Sequence, residues 1–305
     1  MKIALASSSE VSLPLLEFLT KSEEFDLQLV ITNPDKATGR GQLSTENQVA
    51  AWCREKNLIV AKPFGSAELL NVIDDHQIDL LITVAYGHIL KDEVISRPRY
   101  GAINLHYSLL PKYRGAAPVQ RAILNGEELT GVTVFKLDAG MDSGPIYLQK
   151  ELKIDSDEKT SDLLNRLNLI GIDLVNQTLK LIIQGVEPVP QSNADISFAP
   201  KFGKQDGAIN WHRSADDIYN QYRAIGENPG VFTNFSNIKL KISKITRSSF
   251  KSLSPGEFSV VDQSLIVGTA SFDLLIDKMI PEGRKEMTGK DFFNGLKEKG
   301  NLSFA

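Results

Sequence analysis

Apolar positions in the first 150 residues fall into short, nearly continuous runs separated by amphipathic stretches. The runs Lys2–Ala6, Leu27–Thr32, Leu58–Ala61, Leu80–Ala85, Ala102–Leu105 and Val132–Leu137 show little inside/outside alternation. That is the pattern of strands covered on both faces. Between them, helical spacing predicts helices over Leu13–Lys21, Gln48–Glu55, Ala67–Asp75 and Pro118–Leu124. Ser12 is placed to cap the first helix, with Pro14 in its first turn. Strand–helix–strand alternation predicts an α/β fold, a doubly wound and mostly parallel sheet.

A long amphipathic helix is expected over Lys159–Gly185, with Leu163, Leu164, Leu167, Ile170, Leu174 and Leu181 on its apolar face. Two prolines and a loss of periodicity from Val186 mark a linker. Beyond it, Ser214 and Asp217 have capping-box spacing ahead of a helix ending near Ile225. Strand-like runs follow at Ile238–Ile245, Gly256–Val261, Ser264–Gly268 and Phe272–Met279, and Thr288 with Asp291 can cap a last short helix. Short strands with a flanking helix predict a small barrel. The division is 1–188, a linker over 189–205, and 206–305.

The 305 residues are 42% hydrophobic with a net charge of −4, which allows two buried cores and does not mark the whole chain as a polyanion binder. The charge is uneven: 201–305 holds 15 Lys+Arg against 12 Asp+Glu, leaving 19 against 26 in 1–200. A basic last third points to a polyanion partner or to an ordinary solvated face. One cysteine, Cys53, excludes an intrachain disulfide and fits a reducing compartment. No run is long enough to span a membrane and no signal-peptide core follows Lys2, so a cytoplasmic location is expected.

Four scattered histidines and one cysteine offer no metal cluster. Gly39-Arg-Gly41 lacks the third glycine of a dinucleotide fingerprint, and it follows the wrong strand. The informative stretch is Asn104-Leu-His-Tyr-Ser-Leu-Leu-Pro111. Asn104 and His106, two apart at a strand end, project from one face at the edge where such sheets bind ligands. Alone, the pair also reads as a histidine satisfying a local backbone group. Leu137-Asp-Ala-Gly-Met-Asp-Ser-Gly-Pro145 adds a glycine-rich loop with two carboxylates, Asp138 and Asp142. An amide, an imidazole and a carboxylate suit acyl transfer without a covalent nucleophile.

These two runs resemble the folate-dependent formyltransferases. Lys112-Tyr-Arg-Gly-Ala-Ala-Pro-Val-Gln-Arg121, Val84-Ala-Tyr-Gly87 and Lys204-Gln-Asp-Gly-Ala-Ile-Asn-Trp211 are similar to the branch acting on methionyl initiator tRNA. Departures are a lysine-free insert, Gln42–Asn47, and a bulky Tyr107 beside the histidine. The resemblance implies a formyltransferase-type Rossmann-like domain, then an OB-like β-barrel that binds tRNA. It implies transfer of formyl from 10-formyltetrahydrofolate to the amine of initiator methionyl-tRNA, without a metal, by a monomer.

By the same resemblance, Asn104, His106 and Asp142 are the catalytic trio, with Asn104 and a protonated His106 as oxyanion donors and Asp142 handling the amine proton. Ser108, Leu109, Leu110 and Pro111, with Tyr86, Gly87, Ile89 and Leu90, would hold the folate. Ser108–Pro111 also reads as the plain start of a helix. Arg40, Lys239, Lys241 and Lys244 would contact tRNA. Lys239 and Lys241 share a face by strand alternation, which equally describes a wet barrel face. Other acceptors, glycinamide ribonucleotide or an amino sugar, stay open. So do formate release by water and an RNA-binding module on an inactive scaffold.

Overall fold

The computed structural model describes residues 1–38, 43–297 and 302–304. They form two compact units, Met1–Pro118 with Leu129–Lys153 and Ser161–Pro200, and Val119–Glu128 with Ile154–Thr160 and Lys201–Ala305. The stretch expected as a linker is therefore divided: up to Pro200 it belongs to the first unit.

In the first unit the strands are β1 (Lys2–Ala6), β2 (Asp26–Ile31), the small hairpin β3 (Lys36–Thr38) and β4 (Leu43–Thr45), β5 (Val60–Ala61), β6 (Leu80–Thr83), β7 (Ala102–His106), β8 (Leu129–Lys136) and β9 (Ile146–Lys153). The helices along this stretch are α1 (Leu13–Thr20), α2 (Gln48–Glu55), α3 (Ser66–Asp75), α4 (Asp92–Ile95), α5 (Pro118–Leu124) and α6 (Thr160–Ile183). The main sheet runs β5-β2-β1-β6-β7-β8-β9. Pairing is parallel from β5 to β7 and antiparallel for β8 and β9. Ile3–Ala6 and Leu80–Ile82 are wholly buried, as their unbroken apolar runs demand. β9 escaped the pattern because it is a charged edge strand, with Lys150, Glu151 and Lys153 exposed and no residue fully buried.

Two local expectations differ. Ser12 does not cap α1, because a 3-10 turn at Glu10–Ser12 has already made it helical, and its Oγ donates to Ser9 O at 3.0 Å. On α6, Leu164, Ile170 and Leu181 are only half-buried, and the inner stripe runs through Asn168, Gly171, Val175 and Thr178. Polar and small residues sit there for specific reasons. Gly171 lets α6 approach Leu105, and Asn168 Oδ1 accepts the Tyr107 hydroxyl at 2.6 Å. Burial pushes the Tyr107 phenol up, keeping it a hydroxyl donor.

The second unit contains α7 (Ala215–Ile225), β10 (Val231–Phe235), β11 (Ile238–Arg247), β12 (Phe258–Val261), β13 (Ser264–Val267), β14 (Leu274–Pro281), β15 (Met287–Thr288) and α8 (Gly289–Asn294). Its antiparallel sheet runs β10-β11-β14-β13-β12, with β15 on β14. The expected barrel is thus an antiparallel sheet with two flanking helices; among the described residues no pairing joins β10 to β12. Ser214 and Thr288 cap their helices by accepting from Asp217 N and Asp291 N, as their spacing predicts. Phe304 stacks on Phe258 at 4.3 Å and on Trp211 at 5.7 Å, filling the core. Among the described residues no helix is long and apolar enough to cross a membrane.

Tyr107→Phe removes the donor and leaves Asn168 Oδ1 buried and unpaired. It should lower stability by about 1–3 kcal/mol, read as a denaturant midpoint shift at constant slope.

Candidate active site

Strand order reverses between β1 and β6, since β2 and β5 lie on one side and β7 on the other. Open α/β sheets bind ligands beyond the carboxyl ends of the strands at such a point. The loops leaving β1 and β6 meet there, with Ser8 N directed at Ala85 O. Next in the sheet is β7, which delivers Asn104 and His106 to the same edge.

Asn104 is half-buried, and Thr83 Oγ1 donates to its Oδ1 at 2.9 Å. This bond orients the amide and leaves its NH2 as the donor. His106 is buried, edge-on to the Phe135 ring. Its Nε2 lies 2.9 Å from Tyr113 O. A carbonyl only accepts, so Nε2 carries the proton. Nδ1 then faces Asp142 Oδ2 at 3.8 Å. The histidine satisfies a local backbone group and faces a carboxylate at once. Both ring nitrogens are thus directed at protein groups, Nε2 at Tyr113 O and Nδ1 at Asp142.

The two carboxylates of the 137–145 loop separate clearly. Asp138 Oδ1 accepts from Gly140 N and Ser143 Oγ, so it is used within its own turn. Asp142, at φ +50, turns its carboxylate back to accept from Gly115 N at 2.7 Å. Gly115 has φ +122, and a Cβ there would stand 2.9 Å from Ala199 O. A side chain is excluded where the chain must approach this closely.

The residues expected around the folate divide by burial. Ser108 is fully buried with its Oγ donating to Lys112 O at 2.7 Å, and Leu110 is 3% exposed, so both shape the turn from within. Leu109 and Pro111 are half-buried. The segment is a turn through a cis Leu110–Pro111 bond, not the start of a helix. Leu109 packs where β8 has Gly131, whose missing Cβ makes room for it. In the loop after β6, Tyr86 is buried, Leu90 half-buried, and Gly87 and Ile89 exposed. Among the described residues no backbone N–H from 85 to 90 bonds to another backbone group. These donors suit a flat heterocycle rich in acceptors.

On β11, Lys239 and Lys241 share the exposed face, while Leu240, Ile242 and Ile245 point inward. Strict alternation would bury Lys244, but a register shift around it turns it outward. The run has no acid of its own, yet the fold brings acids to it. Lys244 lies 3.5 Å from Asp277, and Arg247 is near Asp157 and Asp216. Lys239 sits over the Phe232 ring. Arg40 lies outside the described residues. Among the described residues no group of three His, Cys, Asp or Glu side chains could hold a metal ion.

Residues 1–179 match the family model described as formyl transferase, and residues 201–297 match the formyl transferase C-terminal domain. The chain belongs to the formyl transferase family. It is 34% identical to methionyl-tRNA formyltransferase of Caldicellulosiruptor saccharolyticus, over 99% of each chain. It is 37% identical to that of Thermodesulfovibrio yellowstonii, over 97% of this chain and 96% of the relative. Among solved structures, an N-formyltransferase from Helicobacter canadensis, solved with folinic acid and dTDP-3-aminofucose, shares the fold. Its TM-score is 0.67 at 21% identity, covering 90% of this chain and 98% of that one.

Gly115→Ala forces a methyl against the Ala199 carbonyl and strains φ. It should cost about 1–3 kcal/mol in denaturant unfolding and lower turnover as the bond to Asp142 is disturbed.

Proposed function

We propose that this chain transfers the formyl group of 10-formyltetrahydrofolate to the free amine of initiator methionyl-tRNA, acting as a cytoplasmic monomer. One observation carries the reading. Asn104 and His106 sit two apart at the carboxyl end of β7, and Asp142 lies 3.8 Å from His106, in a chain similar over nearly its whole length to enzymes named for that reaction.

When bound, the reduced folate supplies a formyl carbon activated by attachment to N10. Tyr86, Gly87, Ile89 and Leu90 would hold its heterocycle, with Leu109 and Pro111 on the surface of the neighbouring turn and Ser108 and Leu110 supporting it. The Asn104 amide, oriented by Thr83, donates to the oxyanion as amine attack on the formyl carbon develops it. A donor of this kind is worth on the order of 10²–10³ in rate. The neutral His106 ring, its Nε2–H held by Tyr113 O, has Nδ1 free to take the proton lost by the amine. The resulting cation faces Asp142, whose charge stabilises it until the proton leaves with N10.

In the division of labour proposed here, the residues up to Pro200 carry the chemistry, and the β11 face of 206–305 tracks phosphates through Lys239, Lys241 and Lys244. Phosphate contacts need cations and give salt-dependent affinity. Lys239 and Lys241 have no ion pair among the described residues, which favours them over Lys244 as the principal contacts. Arg40 would serve at the acceptor end, and Arg40→Ala should weaken use of whole tRNA while sparing folate affinity.

The test offers 10-formyltetrahydrofolate with methionyl-charged initiator tRNA, elongator tRNA, glycinamide ribonucleotide or a nucleotide-linked amino sugar. Formylated initiator methionyl-tRNA is expected, and preferential formylation of a small amine would contradict the reading. His106→Ala should cut turnover by on the order of 10² or more with the fold intact. Replacing Lys239 and Lys241 together by Glu should make the fall of log affinity with log salt shallower by about 2 in slope.

A further inference from the structure

We propose that residues 191–199 form a strap that sets the geometry of the candidate site, with Gln191 as a positioning residue for Asp142. The proposal deepens the functional reading above and rests on it. The strap lies in the stretch whose sequence reads as a linker, and its hydrogen bonds converge on the two loops that hold His106 and Asp142.

Gln191 is placed by all of its amide atoms. Its Nε2 donates to Asp142 O at 2.9 Å and to Gly144 O at 2.8 Å. Its Oε1 accepts from Arg114 Nη2 at 2.6 Å. Two donors pointing at carbonyls and one acceptor facing a guanidinium fix which way the amide is turned. The bonds close on Asp142 itself, a non-glycine residue at φ +50. Such a backbone persists only when its surroundings over-determine it. Gln191 holds the carbonyl of this residue while Gly115 N holds the carboxylate. Releasing the carbonyl lets the loop relax and moves Asp142 Oδ2 away from His106 Nδ1.

The same segment holds the other half of the site. Ser197 Oγ accepts from Tyr113 N at 2.9 Å, and Ser197 O accepts from Arg114 N at 2.9 Å. Ala199 N donates to Arg114 O at 2.7 Å, and Ala117 N donates to Ala199 O at 3.0 Å. The strap therefore lies like a short parallel strand along 113–117. Within that turn, Tyr113 O receives His106 Nε2 and Gly115 N reaches Asp142. Both orienting groups hang from one turn, and the strap sets where that turn sits. Gln191 touches no reacting group; it acts through Asp142.

The test compares Gln191→Ala, Gln191→Glu and Ser197→Ala with Asn193→Ala, an exposed control on the same segment, in the full-length enzyme with 10-formyltetrahydrofolate and charged initiator tRNA. Gln191→Glu keeps the acceptor for Arg114 and loses the donors to Asp142 and Gly144. Both Gln191 variants should lower kcat by on the order of 10²-fold, the penalty of a small misplacement at a reacting centre. KM for the folate should stay within about three-fold. In an Asp142→Asn background, Gln191→Ala should add less than about two-fold, because the interaction it serves is already gone. Asn193→Ala should match the parent. If Gln191→Ala melts early, Ser197→Ala carries the test, and it should lower kcat without raising the folate KM.

Wild-type kcat in both Gln191 variants, alongside a collapsed Asp142→Asn, would overturn the strap alone. Full additivity of Gln191→Ala with Asp142→Asn would also overturn it. Near-normal turnover in Asp142→Asn would instead overturn the site reading on which the strap rests.

Discussion

One turn, Tyr113 to Gly115, supplies the two backbone groups that orient the candidate chemistry. The Tyr113 carbonyl accepts a hydrogen bond from His106 Nε2–H, and the Gly115 N–H donates to Asp142 Oδ2. The two bonds together aim a ring nitrogen at a carboxylate 3.8 Å away and decide which nitrogen is free. Backbone groups suit this task, because they cannot rotate away and their positions are set by packing. The turn is held from beneath by Ser108, whose hydroxyl reaches Lys112 O, and from the side by the 191–199 segment.

The sheet explains why the site is where it is. Five parallel strands place their carboxyl ends on one edge, and their order reverses between β1 and β6, the point at which such sheets bind ligands. β7 contributes Asn104 and His106 on one face because side chains two apart share a face. β8 runs antiparallel to β7 and lends the buried Phe135, against which the imidazole packs edge-on. The loop after β8 then returns Asp142 to the same edge. The proposed proton path needs a carboxylate that is not consumed by its own loop. That separates Asp142 from Asp138, whose oxygen is taken by Gly140 and Ser143.

Much of this was legible in the residues. Unbroken apolar runs mark β1, β2, β6 and β7, and capping pairs mark the starts of α7 and α8. Motif resemblance singled out Asn104, His106 and Asp142, and of these the fold sets His106 and Asp142 3.8 Å apart. Other features were illegible for physical reasons. β9 is a charged edge strand without a buried face. Asn168 and Thr178 lie in the inner stripe of α6, where hydropathy does not look for polar groups. The outward turn of Lys244 depends on a register shift that alternation cannot foresee. The tautomer of His106 depends on a carbonyl seven residues away, and the role of 191–199 depends on backbone pairing, in a stretch whose prolines and polar residues read as a tether. The basic run on β11 is acid-free along the chain, yet Asp277, Asp157 and Asp216 come to it through folding.

The tautomer of His106 tests the account most directly. Long-range proton–nitrogen correlation NMR on the uniformly ¹⁵N-labelled protein, with His106 identified by loss of its signals in His106→Ala, reports which ring nitrogen bears the proton. The account predicts, for the neutral ring, a protonated Nε2 and a bare Nδ1 facing Asp142. A neutral ring protonated at Nδ1, with Nε2 bare, would contradict it.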